Sequence, residues 1–283
     1  MQTLEPNGGP RSLKDMRYTP MNQSDALQRI LTFARPRPQH IARGYSALAL
    51  YQLPYLVDSA PLTFIGPTRK TRAPTPEVPG VTRRGAERIL VTEVRYPGQL
   101  ILAASPVHAT VQALQILRKG TYQPPAVVPD GFDPLLVRAV QLVDCVRRHL
   151  QVSPDALLEA AWGRVDRPWL LKVLNLSSRF ADSPRETELR LLLRAVTKER
   201  QLKLSEQVPV YRGRRLVTTF DFAIEPLKIG IMYDGQHHWE YEQRQKDARI
   251  NLDLALEGWT VVRFAAATFS EVVPRMVELL DRP

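Results

Sequence analysis

The apolar and polar positions of the chain fall into their sharpest order over the last hundred residues. Ser183-Pro184-Arg185-Glu186 has the form of a helix start, a capping box with proline at the first helical position. Leu189, Leu192, Leu193 and Val196 then repeat at helical spacing. Three short strands are expected next, near Glu206–Val210, Leu216–Ile224 and Leu227–Tyr233. In the middle one, Phe220, Phe222 and Ile224 fall on one face and Val217, Thr219, Asp221 and Ala223 on the other. Glu225-Pro226 ends it, because proline removes a donor and favours a turn. The third closes on Asp234-Gly235, where glycine permits a sharp exit from a buried strand. A polar helix from about Glu240 to Glu257 is capped by Gly258. A strand over Thr260–Phe264 and a helix opened by Thr268-x-x-Glu271 complete the order α-β-β-β-α-β-α. A mixed sheet flanked by helices accommodates that plan.

Ahead of residue 180 the rhythm is looser. Residues 1–22 are polar and rich in Pro and Gly, and read as an arm. Ser24 and Asp25 precede Ala26, Leu27, Ile30, Leu31 and Ala34, which fits a short capped helix. Ile41–Leu53 reads as a second helix, stopped by Pro54. Leu62–Gly66 and Leu90–Val94 read as strands, and residues 67–80 between them have the composition of an exposed loop. Ala104–Leu117 is a further helix, with Ser105 as its cap and Pro106 at its first position. Residues 120–134, with four prolines and two glycines, form a linker. Leu135–Leu150, Pro154–Trp162 and Pro168–Leu176 read as helices of a connector over 135–180 whose allegiance the pattern leaves open. The expected domains are thus an α+β domain over 23–119 and an α/β domain over 181–283.

With 283 residues there is room for two domains and a sizeable core. No apolar run approaches the roughly 18 residues that span a bilayer, and MQTLEPNGGPRSLKD lacks a signal peptide's apolar stretch. A cytosolic location and no membrane partner are expected. Cys145 stands alone in an apolar-periodic stretch, which excludes an internal disulfide, a cysteine-based zinc site and a redox pair. The net charge of +10 changes the picture most, because it is unevenly placed. Residues 1–180 carry 23 Lys and Arg against 13 Asp and Glu, whereas residues 181–283 carry 16 against 16. A surplus confined to the first part suits a nucleic-acid partner, and a solvated basic surface is the plain alternative. Arg69, Lys70, Arg72, Arg83, Arg84 and Arg88 are the candidate phosphate contacts.

The acidic groups of the second part suggest chemistry. Asp221 is a lone charge inside an apolar strand, which is costly without a purpose. Asp221 and Asp234, at the ends of paired strands, could share one hard cation, because Mg²⁺ takes carboxylate oxygens and keeps several waters. Each candidate also has a plainer reading. Glu186 completes its capping box, Asp221 is a satisfied strand-end acid, Asp234 is a turn residue before glycine, and Met232 is a core side chain. Of His237 and His238, one is structural on that reading.

Four pieces of sequence, SPRETELRLLLR, SEQVPV, VTTFDFAIEPLKIGIMYDGQHHW and LALEGWTVVRF, resemble in order and spacing the very-short-patch-repair-like endonuclease domain of the PD-(D/E)xK superfamily. The resemblance covers about residues 183–265. More weakly, ARGYSALALYQLPYL resembles the AbiEi-type antitoxin module, which normally begins with a winged helix for which the arm here leaves little room. The first resemblance implies a restriction-endonuclease-like α/β fold with a central mixed sheet, and metal-dependent cleavage or nicking of DNA with Mg²⁺ or Mn²⁺. Glu186 then matches the helix glutamate that orients the attacking water, and Asp221 the aspartate between metal and scissile phosphate. Gln207 matches a glutamine common in the family. Many relatives read Glu-x-Asp-Gly where this chain reads Met232-Tyr233-Asp234-Gly235, and a thioether is a poor ligand for a hard cation. The superfamily's lysine is replaced by Asp234, which leaves His237 or His238 as general base or phosphate contact. A catalytically silenced DNA-binding or antitoxin-like regulator is the alternative, and a protein partner or a homodimer stays open.

Overall fold

The structure is a computed structural model that describes residues 3–4, 23–75, 78–85, 88–234 and 241–282. The chain divides into two compact units, Met1–Val128 with Phe132–Arg179, and Pro129–Gly131 with Phe180–Pro283. Both are mixed α/β. Among the described residues no helix is long and apolar enough to cross a membrane.

The first unit contains β1 (Thr3–Leu4), α1 (Gln23–Ala34), β2 (Ile41–Ala42), α2 (Gly44–Leu50), β3 (Thr63–Gly66), β4 (Gly80–Arg83), β5 (Val91–Tyr96), β6 (Gln99–Ala104) and α3 (Pro106–Arg118). The six strands form one mixed sheet in the order β1-β5-β6-β2-β3-β4. The helix expected over Ile41–Leu53 is instead a strand and a shorter helix. Arg43 is extended, and Gly44 at φ +52° turns the chain between the two. A Cβ at Gly44 would also lie 2.8 Å from Ile116 Cδ1, so the turn needs glycine twice over. Besides β2, three strands lie outside the expected set, β1 within the stretch read as an arm, β4 and β6. Ser105 caps α3 without a side-chain bond to the helix backbone, its hydroxyl meeting His108 Nδ1 at 3.0 Å. Three more helices, α4 (Pro134–His149), α5 (Pro154–Ala160) and α6 (Arg167–Leu176), pack through α3 and one another, so the stretch read as a connector belongs to the first unit. Cys145 is buried in α4.

The second unit runs α7 (Pro184–Glu199), β7 (Ser205–Arg212), β8 (Arg215–Ile224), β9 (Ile229–Asp234), α8 (Tyr241–Leu256), β10 (Thr260–Ala265) and α9 (Val272–Leu280), the expected order. Its sheet has the order β10-β9-β8-β7, parallel between β10 and β9 and antiparallel elsewhere. Glu225–Leu227 forms a 3-10 turn between β8 and β9, with Lys228 in the left-handed region. The last helix begins at Val272, because Thr268 serves a 3-10 turn and accepts the Ala265 amide at 3.0 Å.

Two apolar clusters cover the two faces of this sheet. Leu189, Leu193 and Val196 of α7 and Val272 and Met276 of α9 pack with Phe222, Ile224, Ile229 and Ile231. On the other face Leu254 of α8 packs with Val210, Val217, Phe220 and Ala223. Phe220 and Phe222, two residues apart, thus face opposite ways, which corrects the regular alternation read along this strand. The reversal falls at Asp221, across from Gln207, whose φ of +51° breaks the run of β7 between its pairs Glu206–Phe222 and Val208–Phe220. The turned Phe220 ring fills the space over Gly230, where an added Cβ would lie 2.3 Å from the ring. β7 is also irregular between Val210 and Tyr211 and contains Pro209.

Candidate functional site

The site grows from the first turn of α7. Ser183 caps the helix, its hydroxyl oxygen accepting the Glu186 amide at 3.3 Å, and its hydroxyl donates back to Glu186 Oε1 at 3.1 Å. The second carboxylate oxygen, Oε2, accepts the Asp182 amide at 2.9 Å. The capping reading of Glu186 is therefore satisfied, with the reciprocal bond one residue upstream of its usual place. The same geometry buries the carboxyl. Burial first, and the charge of Asp221 second, push Glu186 up to about 8, against which the Asp182 amide and the Ser183 hydroxyl act. A carboxyl so placed holds its proton at neutral pH.

Asp221 stands where β8 and β9 part. Their last backbone pair is Phe222–Ile231, and the next inward donor, the Tyr233 amide, goes to Asp221 Oδ2 at 2.8 Å. A side chain has taken the place of a ladder carbonyl, so the strands fork around a carboxylate. The Tyr233 phenol lies half-buried near Arg185, Glu188 and Glu186, and burial is the main reason its pKa is raised. Glu188 is buried and receives Arg185 at 2.7 Å, while the Arg185 guanidinium also lies over the Phe269 ring. Arg190, fully buried two residues on, has its Nε 3.6 Å from Glu206 Oε2. Three buried charged residues, Glu186, Glu188 and Arg190, on one helix are unusual in a core, where such groups persist when paired.

Glu186 and Asp221 are thus brought together. Asp234 has a different partner. One residue past Tyr233, its side chain stands on the opposite face of β9, where Arg263 of β10 reaches both its oxygens at 3.2 and 3.4 Å. Met232 packs in the apolar cluster of that face, as its core reading requires. His237 and His238 lie outside the described residues. Among the described residues no group of three or more His, Cys, Asp or Glu is placed to hold a metal ion. Two adjacent carboxylates still fit the chemistry of a hard cation that takes one or two protein carboxylates and fills its remaining positions with water and phosphate oxygens.

Residue patterns did not reveal Tyr233, Arg185 and Glu188 as neighbours of this pair. The Arg185–Glu188 spacing on a helix was the one available signal. Nor did they reveal Arg263 as the partner of Asp234, because strand pairing across a helix of 16 residues leaves no local trace.

In the first unit, Arg69, Lys70, Arg72, Arg83, Arg84 and Arg88 are all exposed, on edge strand β4 and the loops beside it. Arg72 pairs its backbone with Val81 and donates to the Pro79 carbonyl at 3.2 Å. Arg84 donates to the Gln39 carbonyl at 2.8 Å, and the Arg88 carbonyl accepts the Arg164 guanidinium. The loop is held by its own bonds and presents its charges outward.

No protein-family model, curated protein or solved structure matches the chain.

Proposed function

We propose that the second unit is a restriction-endonuclease-like nuclease of the PD-(D/E)xK kind, which hydrolyses phosphodiester bonds in DNA with a divalent metal. The observation that carries the reading is the Glu186–Asp221 pair, a buried helix carboxyl held beside a carboxylate at a fork between strands. The superfamily resemblance assigns roles to these same two residues.

Mg²⁺ or Mn²⁺, when bound, supplies neutralisation of charge on the scissile phosphate. Asp221, oriented by the Tyr233 amide, would hold it together with Glu186. With the repulsion of Asp221 offset by a bound cation, Glu186 would be ionised and would serve as the acceptor of a proton from the attacking water. Arg185, whose side chain is partly exposed, is available to a phosphate oxygen at the start of α7. The exposed basic residues of the first unit contribute phosphate contacts and hence salt-dependent affinity with little sequence preference.

The regulator reading has its own support, in Met232 at the position of a usual glutamate and in the engagement of Asp234 with Arg263. Nicking of supercoiled plasmid with Mg²⁺ or Mn²⁺ separates the two. A cutting natural protein and a silent Asp221→Asn variant support the nuclease. Cutting by Met232→Glu alone supports a silenced fold that binds DNA, and silence from all three removes support from the site.

A further inference from the structure

The first unit contains a solvent-open cleft of about 400 Å³, a volume comparable with that of small-ligand sites, roughly 300–1,000 Å³. One wall is α1 and the turn after it, with Arg29, Thr32, Phe33 and Arg37, and the other includes Leu62 and Pro79. Among the described residues that line it, none is acidic. Phe33 packs on fully buried Phe64, with ring centroids 4.4 Å apart, and the Arg37 guanidinium lies 4.4 Å from the Phe33 centroid. A guanidinium on an aromatic ring is a planar cationic platform, the kind of surface on which a nucleobase stacks. Arg29 is anchored by donating to the Asp58 carbonyl at 2.6 Å, and its Nε is buried with no hydrogen-bond partner among the described residues. A buried guanidinium N–H without an acceptor suits an anionic oxygen.

The cavity also adjoins the basic face. Pro79 in its wall carries the carbonyl bonded by Arg72. His40 lies against the Phe33 ring and, after its burial, is held below the usual range by Arg37 of the cavity and Arg84 of the basic loop together.

From this arrangement we infer that the cavity takes one nucleotide, the base on the Phe33–Arg37 platform and the phosphate toward Arg29, so that the first unit binds DNA at unpaired positions. The inference rests on the proposed DNA partner and adds a feature of the substrate that the acidic site does not determine.

The test uses the full chain in EDTA, so that cleavage plays no part. Fluorescence anisotropy compares a fully paired duplex with the same duplex carrying a short unpaired tail, and a second arm follows adenosine monophosphate by ligand-detected NMR. The tail should raise affinity about tenfold, and Arg37→Ala and the cavity-filling Thr32→Trp should each remove that gain while leaving duplex affinity in place. Both positions are exposed on or beside α1, and circular dichroism checks that the variants keep their fold. Mononucleotide binding that both variants abolish, without a tail preference, would support the same cavity chemistry with a free nucleotide as its source. A natural protein with neither tail preference nor mononucleotide binding overturns the inference. Failure to bind any duplex at low salt counts against the DNA partner instead, and the mononucleotide arm then decides the cavity.

Discussion

Replacing Glu186 with glutamine isolates the energetic cost of charging this carboxyl. Glutamine is isosteric and also serves a capping box, so its oxygen accepts the Asp182 amide and its amide group donates to Ser183. What it removes is ionisation. The folded protein holds the Glu186 proton to about pH 8, whereas the unfolded chain loses it near 4.5. Between those values the folded state binds more protons, so the carboxyl's contribution is fully present below pH 4.5 and is lost as pH rises to about 8. The full span corresponds to roughly 5 kcal/mol at about 1.4 kcal/mol per pH unit, and relaxation around the charge brings the expected loss to about 2–5 kcal/mol. In urea unfolding, at an m-value of about 1–3 kcal/mol/M, the wild-type midpoint should drop by on the order of 1–2 M relative to Glu186→Gln. The two proteins should coincide at pH 4.5, diverge up to about pH 8 and run parallel above it. Saturating Mg²⁺ should shrink the divergence if the proposed cation binds. Parallel profiles throughout, or a wild type that gains on the variant as pH rises, would refute the reasoning from burial and Asp221.

Gly230→Ala should destabilise the second unit by about 1–3 kcal/mol through overpacking against Phe220, and Phe220→Leu in the same chain should recover part of that loss in thermal unfolding. Asp253, buried in α8, receives Arg212 and Arg215 from the β7–β8 hairpin, and those two hydrogen bonds hold its carboxyl below the usual range. Asp253→Asn should speed amide hydrogen exchange in the hairpin above about pH 4, and the difference should fade as pH falls and the native carboxylate is itself protonated. Duplex affinity in EDTA should fall linearly with the logarithm of salt concentration, and replacing Lys70 and Arg83 with glutamine should reduce the slope by about 0.9 for each phosphate that these side chains neutralise. An unchanged slope would remove those two residues from the interface.

The second unit was readable because its strands are long enough to alternate and its turns carry their own chemistry, Glu225-Pro226 and Gly258 among them. The first unit hid its strands for the opposite reason. β2 is two residues long and lies inside an apolar run with helical spacing, and only the backbone demand at Gly44 separates strand from helix. Periodicity also failed at Phe220, where a left-handed residue on the neighbouring strand reverses the face. Of the candidate site, Asp221 was legible because a charge within an apolar strand stands out, and Glu186 because a capping box marks it and the family resemblance assigns it a role. Asp234 was equally visible, but its ion pair with Arg263 depends on which strand lies beside β9. Spacing along the chain does not specify that neighbour.

The outer strand β7 has a consequence for behaviour in concentrated solution. Sheet edges attract other chains because they offer an even row of vacant donors and acceptors. Within eight residues β7 interrupts that row with a left-handed Gln207, a proline that has no N–H to give, and a slip after Val210. An incoming strand would find no register to follow for more than two or three residues. On this side the sheet offers other chains a poor template, and Pro209→Val, which restores an N–H but leaves the turn at Gln207 and the slip after Val210, should weaken that protection only in part.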